Sequence, residues 1–577
     1  MAKRAQFKVV YLGRSSRRAK GFVPGVDGDA LELLENDWDD YGNRTSFGTI
    51  CRIGGEEVEL GAIKLMVDGQ DTTATYLDKL RKDGWDGEFP IPKGDYISVP
   101  NEITFYEQLV AQIELDGAKR VAKVLRDASY LVNIEEDARA IAQIDTSPFR
   151  KSLQRERGGV KSFLDGWKLF ARQAMDVMDL GFQFRDVFGE VSTLELHFAA
   201  KGLLPRDVNV LIGPNGSGKS QLLHQIVQDW LGDTDEERDT GFIEKPNLSQ
   251  LVVVSYSPFE QFPVDLRGVK KQDQDAYRYF GFRGRSTPQP GTKRLGGIRL
   301  THEAPKRNAA TSLLDCLSDD KRYRSLPGWP QKLKTMERVL RTAFDFDFAA
   351  VTVETPKLDP KRYYLDHDYV DQKIIEDDDL LNDRHLIAID AASVNDLVID
   401  TIREDLVASE GVTFVKDKRP IELSSGQKLF SFIVVNILGA IRRDSLILID
   451  EPELFLHPTL EIRFIGMLKR ILQHFNSKAL MATHSVVTVR EVPSDCVHVF
   501  ERTDAGLVVK RPPFETFGGD IQRITSYVFG DNATSKPYEG WIREQLEELG
   551  DADALIAALG EELNEELIVQ IRAMDNG

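Results

Sequence analysis

The chain has 577 residues, 41% of them hydrophobic and 29% charged, with a formal net charge of −19. That length leaves room for about three or four domains with a substantial core, and the charge excludes a surface that is basic throughout, though not a local basic patch. No run of 18 apolar residues is present, which excludes a membrane-spanning helix. Cys51, Cys316 and Cys496 lie far apart and match no zinc spacing. They read as reduced thiols of a cytoplasmic protein. Lys3 and Arg4 lead into no signal-like apolar segment.

Residues 1–180 read as an α/β accessory domain. Its first twenty residues hold seven bases and no acid, and acid follows at once between Asp27 and Asp40. Strand-like runs lie at Phe7 to Leu12 and Glu59 to Met66, and helical patterns around Ile103 to Ile113 and Val160 to Met178. No catalytic constellation is visible there, so docking of a partner or another subunit is the expected use. Thr193 to Phe198 reads as an edge strand leading into the stretch that organises the chain.

That stretch is Val208 to Leu231. An apolar run, Val208 to Ile212, is followed by Gly213-Pro-Asn-Gly-Ser-Gly-Lys219-Ser220, which fits G-x-x-x-x-G-K-[ST]. Leu222, Ile226 and Trp230, with Leu223, Val227 and Leu231, then form one apolar helix face, and Gly232 is placed to end it. Strand, glycine loop and helix is the setting a phosphate-binding loop requires. Its glycines let backbone N–H groups close on phosphate oxygens, and the helix N-terminus adds partial positive charge. Lys219 is expected at the β- and γ-phosphates and the Ser220 hydroxyl on Mg²⁺. Asn215, Gly216, Ser217, Gly218 and Gln221 complete the expected nucleotide contacts.

After a buried strand, Leu251 to Tyr256, comes Ser257-Pro-Phe-Glu-Gln261. Arg267 to Arg307 then holds eleven Lys or Arg and three acids, with Tyr277, Tyr279, Phe280 and Phe282 among them. Bases with interleaved aromatics suit backbone contact and base stacking, and a solvated basic loop is the plainer alternative. Lys332 to Phe344 and Val394 to Ala408 look helical, and the acidic run Asp366 to Asp383 between them reads as a solvated loop.

Glu422-Leu-Ser-Ser-Gly-Gln-Lys428 heads a helical pattern, Leu429 to Ile441. Ser445 to Ile449 forms a buried strand ending in Asp450-Glu451-Pro452, and Ala479 to Thr483 another ending in His484. Acids at the carboxyl ends of parallel strands sit at the crevice where ligands bind. There Asp450 would hold Mg²⁺, Glu451 would polarise the attacking water, and His484 would reach the γ-phosphate. Residues 539–577 carry eleven acids and two bases and read as a solvated helical cap.

This set resembles the ABC-type ATPase superfamily. Residues 213–220 look like Walker A, Leu423-Ser424-Ser425-Gly426-Gln427 like the signature LSGGQ with Ser425 for the first Gly, Leu446 to Glu451 like Walker B with the catalytic glutamate, and His484 like the switch histidine. Asp450-Glu-Pro-Glu-Leu-Phe-Leu-His-Pro458 with Ala482-Thr-His-Ser485 is similar to the OLD-like and RecF/SMC-like branch, including ATPases of Septu-type and retron-linked antiphage defence. No Q-loop glutamine is evident. Gln261 is the candidate and with it a candidate third metal ligand. Only 93 residues follow His484, without the Glu and Asp-x-Asp of a Toprim nuclease.

The resemblance implies an α/β fold. Its ABC-type P-loop head would have a mixed sheet; the largely helical insertion and the N-terminal α/β domain are read from the residues, and that N-terminal stretch is longer than the Septu-type branch leads one to expect. The expected bounds are 1–180 for the accessory domain, 181–260 and 412–530 for the two halves of the core, 261–411 for the insertion with its basic loop, and 531–577 for the cap. The implied cofactors are ATP and Mg²⁺. Heads would pair as a dimer or higher oligomer, each site joining one P-loop to the other copy's residues 424–427. The expected activity is ATP hydrolysis that switches a protein effector, a nuclease by preference, in antiphage defence, with no nuclease in the chain itself and no membrane. The alternative is a DNA repair or chromosome-maintenance ATPase that binds nucleic acid directly. The ATPase subunit of a transporter is disfavoured by the Glu-Leu-Phe-Leu-His-Pro block.

Overall fold

The computed structural model describes residues 7–14, 28–35, 45–173, 179–199, 202–232, 239–266, 276–286, 296–354, 384–389, 396–504, 506–530, 537–560 and 563–575. The acidic run 366–383 and the basic residues Lys270 and Lys271 lie outside them. The chain divides into two compact units, residues 1–517 and residues 518–577. Among the described residues no helix is long and apolar enough to cross a membrane.

The first sheet has the order β1 (Lys8–Arg14), β2 (Ala30–Glu35), β3 (Ser46–Ile53), β4 (Glu56–Val67), β5 (Tyr96–Pro100), with β1 and β2 parallel and the other pairs antiparallel. Leu31, Leu33, Phe47, Ile63, Leu65 and Ile97 form its core with Tyr106 and Phe170 of two helices, Thr104–Val124 and Arg157–Ala171. The first of these runs eleven residues beyond the pattern expected to end at Ile113, past a break at Ile113 and Glu114 (φ 59°). Buried polar groups here are tied down. Lys64 Nζ donates to the Ser152 carbonyl (3.1 Å) and faces Glu156 (3.2 Å). Asp127 accepts from Tyr106 Oη (2.8 Å) and from the Tyr130 N–H (2.8 Å), capping the short helix Ala128–Asn133.

Next in the chain come β6 (Leu180–Arg185), β7 (Val191–Leu196), β8 (Val208–Ile212), β9 (Gly241–Phe242), β10 (Gln250–Ser255), β11 (Tyr277–Gly281), β12 (Arg283–Arg285), β13 (Ile298–Leu300), β14 (Phe348–Glu354), β15 (Arg384–Ala388), β16 (Val412–Lys416), β17 (Arg419–Pro420), β18 (Ser445–Asp450), β19 (Lys478–Thr483), β20 (Val497–Thr503) and β21 (Gly506–Lys510). The central sheet has the order β11-β10-β18-β19-β8-β20-β21. All its pairs are parallel except β20 with β21. Its inner strands are buried along their whole length, which is why they read as continuous apolar runs and not as alternation. The expected edge strand before the P-loop is β7, and it belongs to a separate antiparallel sheet, β7-β6-β9.

The middle region, expected as largely helical, also contains an antiparallel sheet, β15-β14-β16-β17. Short apolar runs such as Phe348–Glu354 carry too little periodicity to separate strand from helix. A helix that the sequence reading did not mark, Glu303–Arg322, packs along the helix Ser425–Ala440. They approach closely at Gly439, where an added Cβ would lie 2.5 Å from the Ser312 carbonyl oxygen. At the other end of Glu303–Arg322, the Arg322 carbonyl accepts from Gln108 (2.7 Å), Tyr323 Oη donates to Glu102 (3.0 Å), and Arg443 pairs with Glu107 (3.1 Å). Arg322 lies against Gly61 of β4, where a Cβ would be 2.1 Å from its guanidinium. These contacts seat the first sheet on the region of the central sheet.

The second unit contains the helices Ile521–Phe529, Pro537–Leu549, Ala552–Leu559 and Glu565–Asp575. Ile542, Ala552, Leu555 and Ile571 form a small core of their own.

Candidate nucleotide-binding site

β8 runs into the glycine loop, and the helix Lys219–Leu231 follows, ended by Gly232 (φ 69°). The loop's curvature needs Gly216 (φ 72°) and Gly218 (φ 98°) in the left-handed region. Gly213 is set by space: a Cβ there would lie 2.3 Å from the Phe500 carbonyl of β20. Lys219 is 4% exposed. Its Nζ donates to the carbonyls of Gly213 (3.0 Å) and Pro214 (3.1 Å). Burial pulls its ammonium down to about 8, against the opposing pull of Glu451, Asp450 and Glu453. The Ser217 hydroxyl is buried and has no hydrogen-bond partner. Asn215 and Gln221 are exposed beside the loop.

Strand register brings the second half of the site to the same end of the sheet. Ser255, Asp450 and Ala482 stand side by side at the carboxyl ends of β10, β18 and β19, and Thr483 pairs with Ile212. Ser220 Oγ donates to Asp450 Oδ1 (2.8 Å) and Ser255 Oγ to Oδ2 (3.4 Å). Burial pushes the Asp450 carboxyl up to about 7, and nearby Glu451 and Glu453 add to the rise. Glu451 has a left-handed backbone (φ 48°, ψ 54°) fixed by its N–H on the Ala482 carbonyl (2.9 Å). Its carboxylate lies 3.4 Å from His484 Nε2, and that contact, with Lys219 behind it, holds it below the usual range. Glu453 accepts from the His484 N–H (2.5 Å), so it fixes the backbone that carries the imidazole.

Ser220 and Asp450 supply two oxygens. Mg²⁺ is ordinarily held by one or two carboxylates with phosphate oxygens and water completing an octahedron, and the donor set fits that demand. The partnerless Ser217 hydroxyl and the tight cradle at Gly213 fit a phosphate-binding loop.

Two expected groups stand apart from this cluster. Gln261 is exposed, and its backbone carbonyl bonds the His224 ring; no described hydrogen bond joins its amide to Asp450 or Ser220, and Ser255 holds that place. Residues 424–427 start the helix Ser425–Ala440 with a reciprocal capping box: Gln427 N–H donates to Ser424 Oγ (3.3 Å), and Ser424 N–H to Gln427 Oε1 (3.0 Å). Ser424 and Ser425 are exposed, and among the described residues no hydrogen bond links residues 424–427 to residues 213–220.

Sequence reasoning missed four residues here: Ser255, Glu453, Phe188 and Arg502. Phe188, 53% exposed, lies in the β6–β7 turn, and the Arg502 guanidinium of β20 sits 5.9 Å from its ring while donating to the Gly216 carbonyl. The local signal of Phe188 and Arg502 is position alone, an aromatic in a turn and a base at a strand end, which does not by itself point to the P-loop.

The chain is similar in part to known families and proteins. The family described as "AAA domain, putative AbiEii toxin, Type IV TA system" matches residues 376–490, the segment holding the capping loop, β18 and His484. The core has the α/β fold of a P-loop ATPase. Protein ea59 of Escherichia phage lambda is 24% identical to the chain over 548 residues, spanning 91% of each. Among solved structures, an ATP-binding cassette of an ABC transporter in its ADP conformation is 12% identical over 61% of this chain and 95% of its own, with a TM-score of 0.25. The SMC head domain from Thermotoga maritima is 12% identical over 58% of this chain and 100% of its own, with a TM-score of 0.26.

Proposed function

We propose that the chain is a Mg²⁺-dependent ATPase working as a nucleotide-driven switch. The reading is carried by one observation: Lys219, Ser220, Asp450, Glu451 and His484 converge at one end of one sheet. Lys219 would hold the β- and γ-phosphates. Ser220 and Asp450 would hold Mg²⁺, which when bound neutralises phosphate charge. Glu451, kept ionised by His484, would accept the proton of the attacking water. Phe188 and Arg502 flank the loop where the base and ribose would lie.

The exposed 424–427 loop is the expected contribution of a second copy, so that two heads close over two ATP molecules. A phage-borne relative, and a family description naming a toxin of a toxin–antitoxin system, support a role in conflict between phage and host. In that setting the closing heads would drive a separate effector, a nuclease by preference, and the chain itself would not cut nucleic acid.

The test uses Glu451→Gln, alone and with Ser424→Arg. General-base catalysis contributes about 10² to 10⁴ in rate, so Glu451→Gln should lose hydrolysis by that factor and keep ATP affinity. Light scattering with a head-to-head cross-link should show an ATP-dependent closed form for Glu451→Gln and none for the double variant. Hydrolysis at the wild-type rate in Glu451→Gln would sink the assignment.

A further inference from the structure

We propose that the β12–β13 ribbon and the first turn of helix Glu303–Arg322 form a docking site for the phosphate backbone of nucleic acid. The ribbon leaves the central sheet beside the ATP site, because Ser255 pairs with both Gly281 at the end of β11 and Asp450. Arg283, Arg285, Arg299 and Arg307 line a cleft of about 320 Å³, with Asp265 and Glu303 as the acids facing them. Two of the arginines are fixed in place. Arg285 is chelated by Asp265 (2.6 and 2.8 Å), and Arg283 donates to the carbonyls of Glu260 (3.3 Å) and Phe262 (3.2 Å). The other two are available. Arg299 is exposed and has no hydrogen bond or ion pair among the described residues. Among the described residues, Arg307 makes only an exposed pair with Glu303 (2.8 Å), worth little against a phosphate.

Shape points to the same occupant. The ladder is only three residue pairs long, and β13 is exposed along its whole length, with Ile298 at 42% and Leu300 at 55%. A two-stranded ribbon gains little stability alone in water, yet it has the width that a major groove admits. Guanidinium forks match phosphate oxygens, and a locally basic cleft on a chain of net charge −19 focuses a polyanion onto one place.

The position also gives docking a route to the ATP site. Phe282, at the base of the ribbon, has its ring 5.4 Å from Tyr256, 6.2 Å from His302 and 6.0 Å from Phe455. Phe455 closes the turn that follows Glu451, and its carbonyl faces Gly426, where a Cβ would be 3.0 Å away. A backbone pressed on the ribbon therefore bears on both the catalytic turn and the 424–427 loop. This coupling rests on the ATPase reading above, and the docking does not.

The experiment is anisotropy of a fluorescent mixed-sequence DNA duplex titrated with the full nucleotide-free chain over a range of salt. Wild type should bind with a log–log salt dependence. Arg299→Ala with Arg307→Ala should flatten that slope by about 1.8, at about 0.9 per lost phosphate contact. Arg139→Ala with Arg150→Ala, exposed arginines of the first region, removes equal charge and should leave the slope unchanged. No binding at low salt, equal slopes in wild type and the first pair, or equal loss in the control pair would each overturn the proposal. So would labelled polyglutamate binding as tightly as DNA, which would make the cleft a site for acidic protein. DNA should change the ATP turnover of wild type, and Phe282→Leu should abolish that change while keeping DNA affinity. Turnover indifferent to DNA in wild type overturns the coupling, whereas no turnover with DNA affinity intact points to failure of the ATPase reading.

Discussion

Asp127 in the first region and Asp450 in the central sheet are both buried aspartates whose carboxyls burial pushes to about 7. Their surroundings differ. Asp127 is closed in by a helix N–H and a tyrosine hydroxyl, a fixed set that caps a helix. Asp450 is held by two serine hydroxyls, one of them at 3.4 Å, among Glu451 and Glu453 and across from a lysine pulled down to about 8. A raised carboxyl alone therefore marks burial. A raised carboxyl among other carboxylates, facing a depressed lysine at a strand end, marks a place suited to a divalent cation and a phosphate.

The same substitution at the two sites divides them most sharply. Asp450→Asn should lower ATP hydrolysis by roughly a hundredfold or more, the several kcal/mol that a metal clamp contributes, whereas Asp127→Asn should leave turnover as it is. A steady-state phosphate-release assay on both decides it, and equal activity would erase the distinction. Lys219→Ala should weaken ATP binding about ten- to a hundredfold, the range for a lost charge-assisted hydrogen bond, read by calorimetry on a chain whose circular dichroism is unchanged.

At Asp127 the readout is stability against pH. Its carboxyl titrates near 3.9 in an unfolded chain and at about 7 in the fold. The stability favouring the protonated form is thus complete below about pH 4 and is lost as pH climbs to 7. Asparagine stays neutral throughout. Thermal midpoints of wild type and Asp127→Asn should coincide near pH 4, separate in favour of the variant up to pH 7, and run parallel above it; a constant offset would mean that Asp127 is ionised in the fold throughout. The smallest effect belongs to Ser255→Ala, which removes the longer of the two hydroxyl bonds to Asp450. Mg²⁺ dependence of turnover should shift only about two- to tenfold, as for one ordinary hydrogen bond.

The candidate nucleotide site is legible in the sequence where its chemistry is local. Residues 213–220 declare themselves by glycine spacing, and Asp450, Glu451 and His484 by following buried apolar strands. Ser255 is equally near Asp450, but a serine at the end of a valine run carries no signature, and only strand register brings the two together. Gln261 was favoured for its residue type and stands exposed. Helix Glu303–Arg322 was obscured by its charge: it begins in the basic stretch and ends Asp-Asp-Lys-Arg, with a short apolar stripe between. In the first region two of the five strands showed as strand-like runs, at Phe7 to Leu12 and Glu59 to Met66, while the network of Asp127, Tyr106 and Tyr130 depends on contacts that no periodicity reports.

The close approach of Gly439 and Ser312 has a mechanical consequence. Ser312 lies near the middle of Glu303–Arg322, roughly 14 Å from either end at 1.5 Å per residue. With no room for even a methyl group at that crossing, any tilt of the helix would turn about it. A tilt of about 5° would carry the two ends roughly 1.2 Å in opposite senses. One end abuts the arginine ribbon at Gly284, and the other seats Arg322 against Gly61 of the first sheet. Such a tilt would link the ribbon to the first sheet, with the helix that starts at Ser425 as its support.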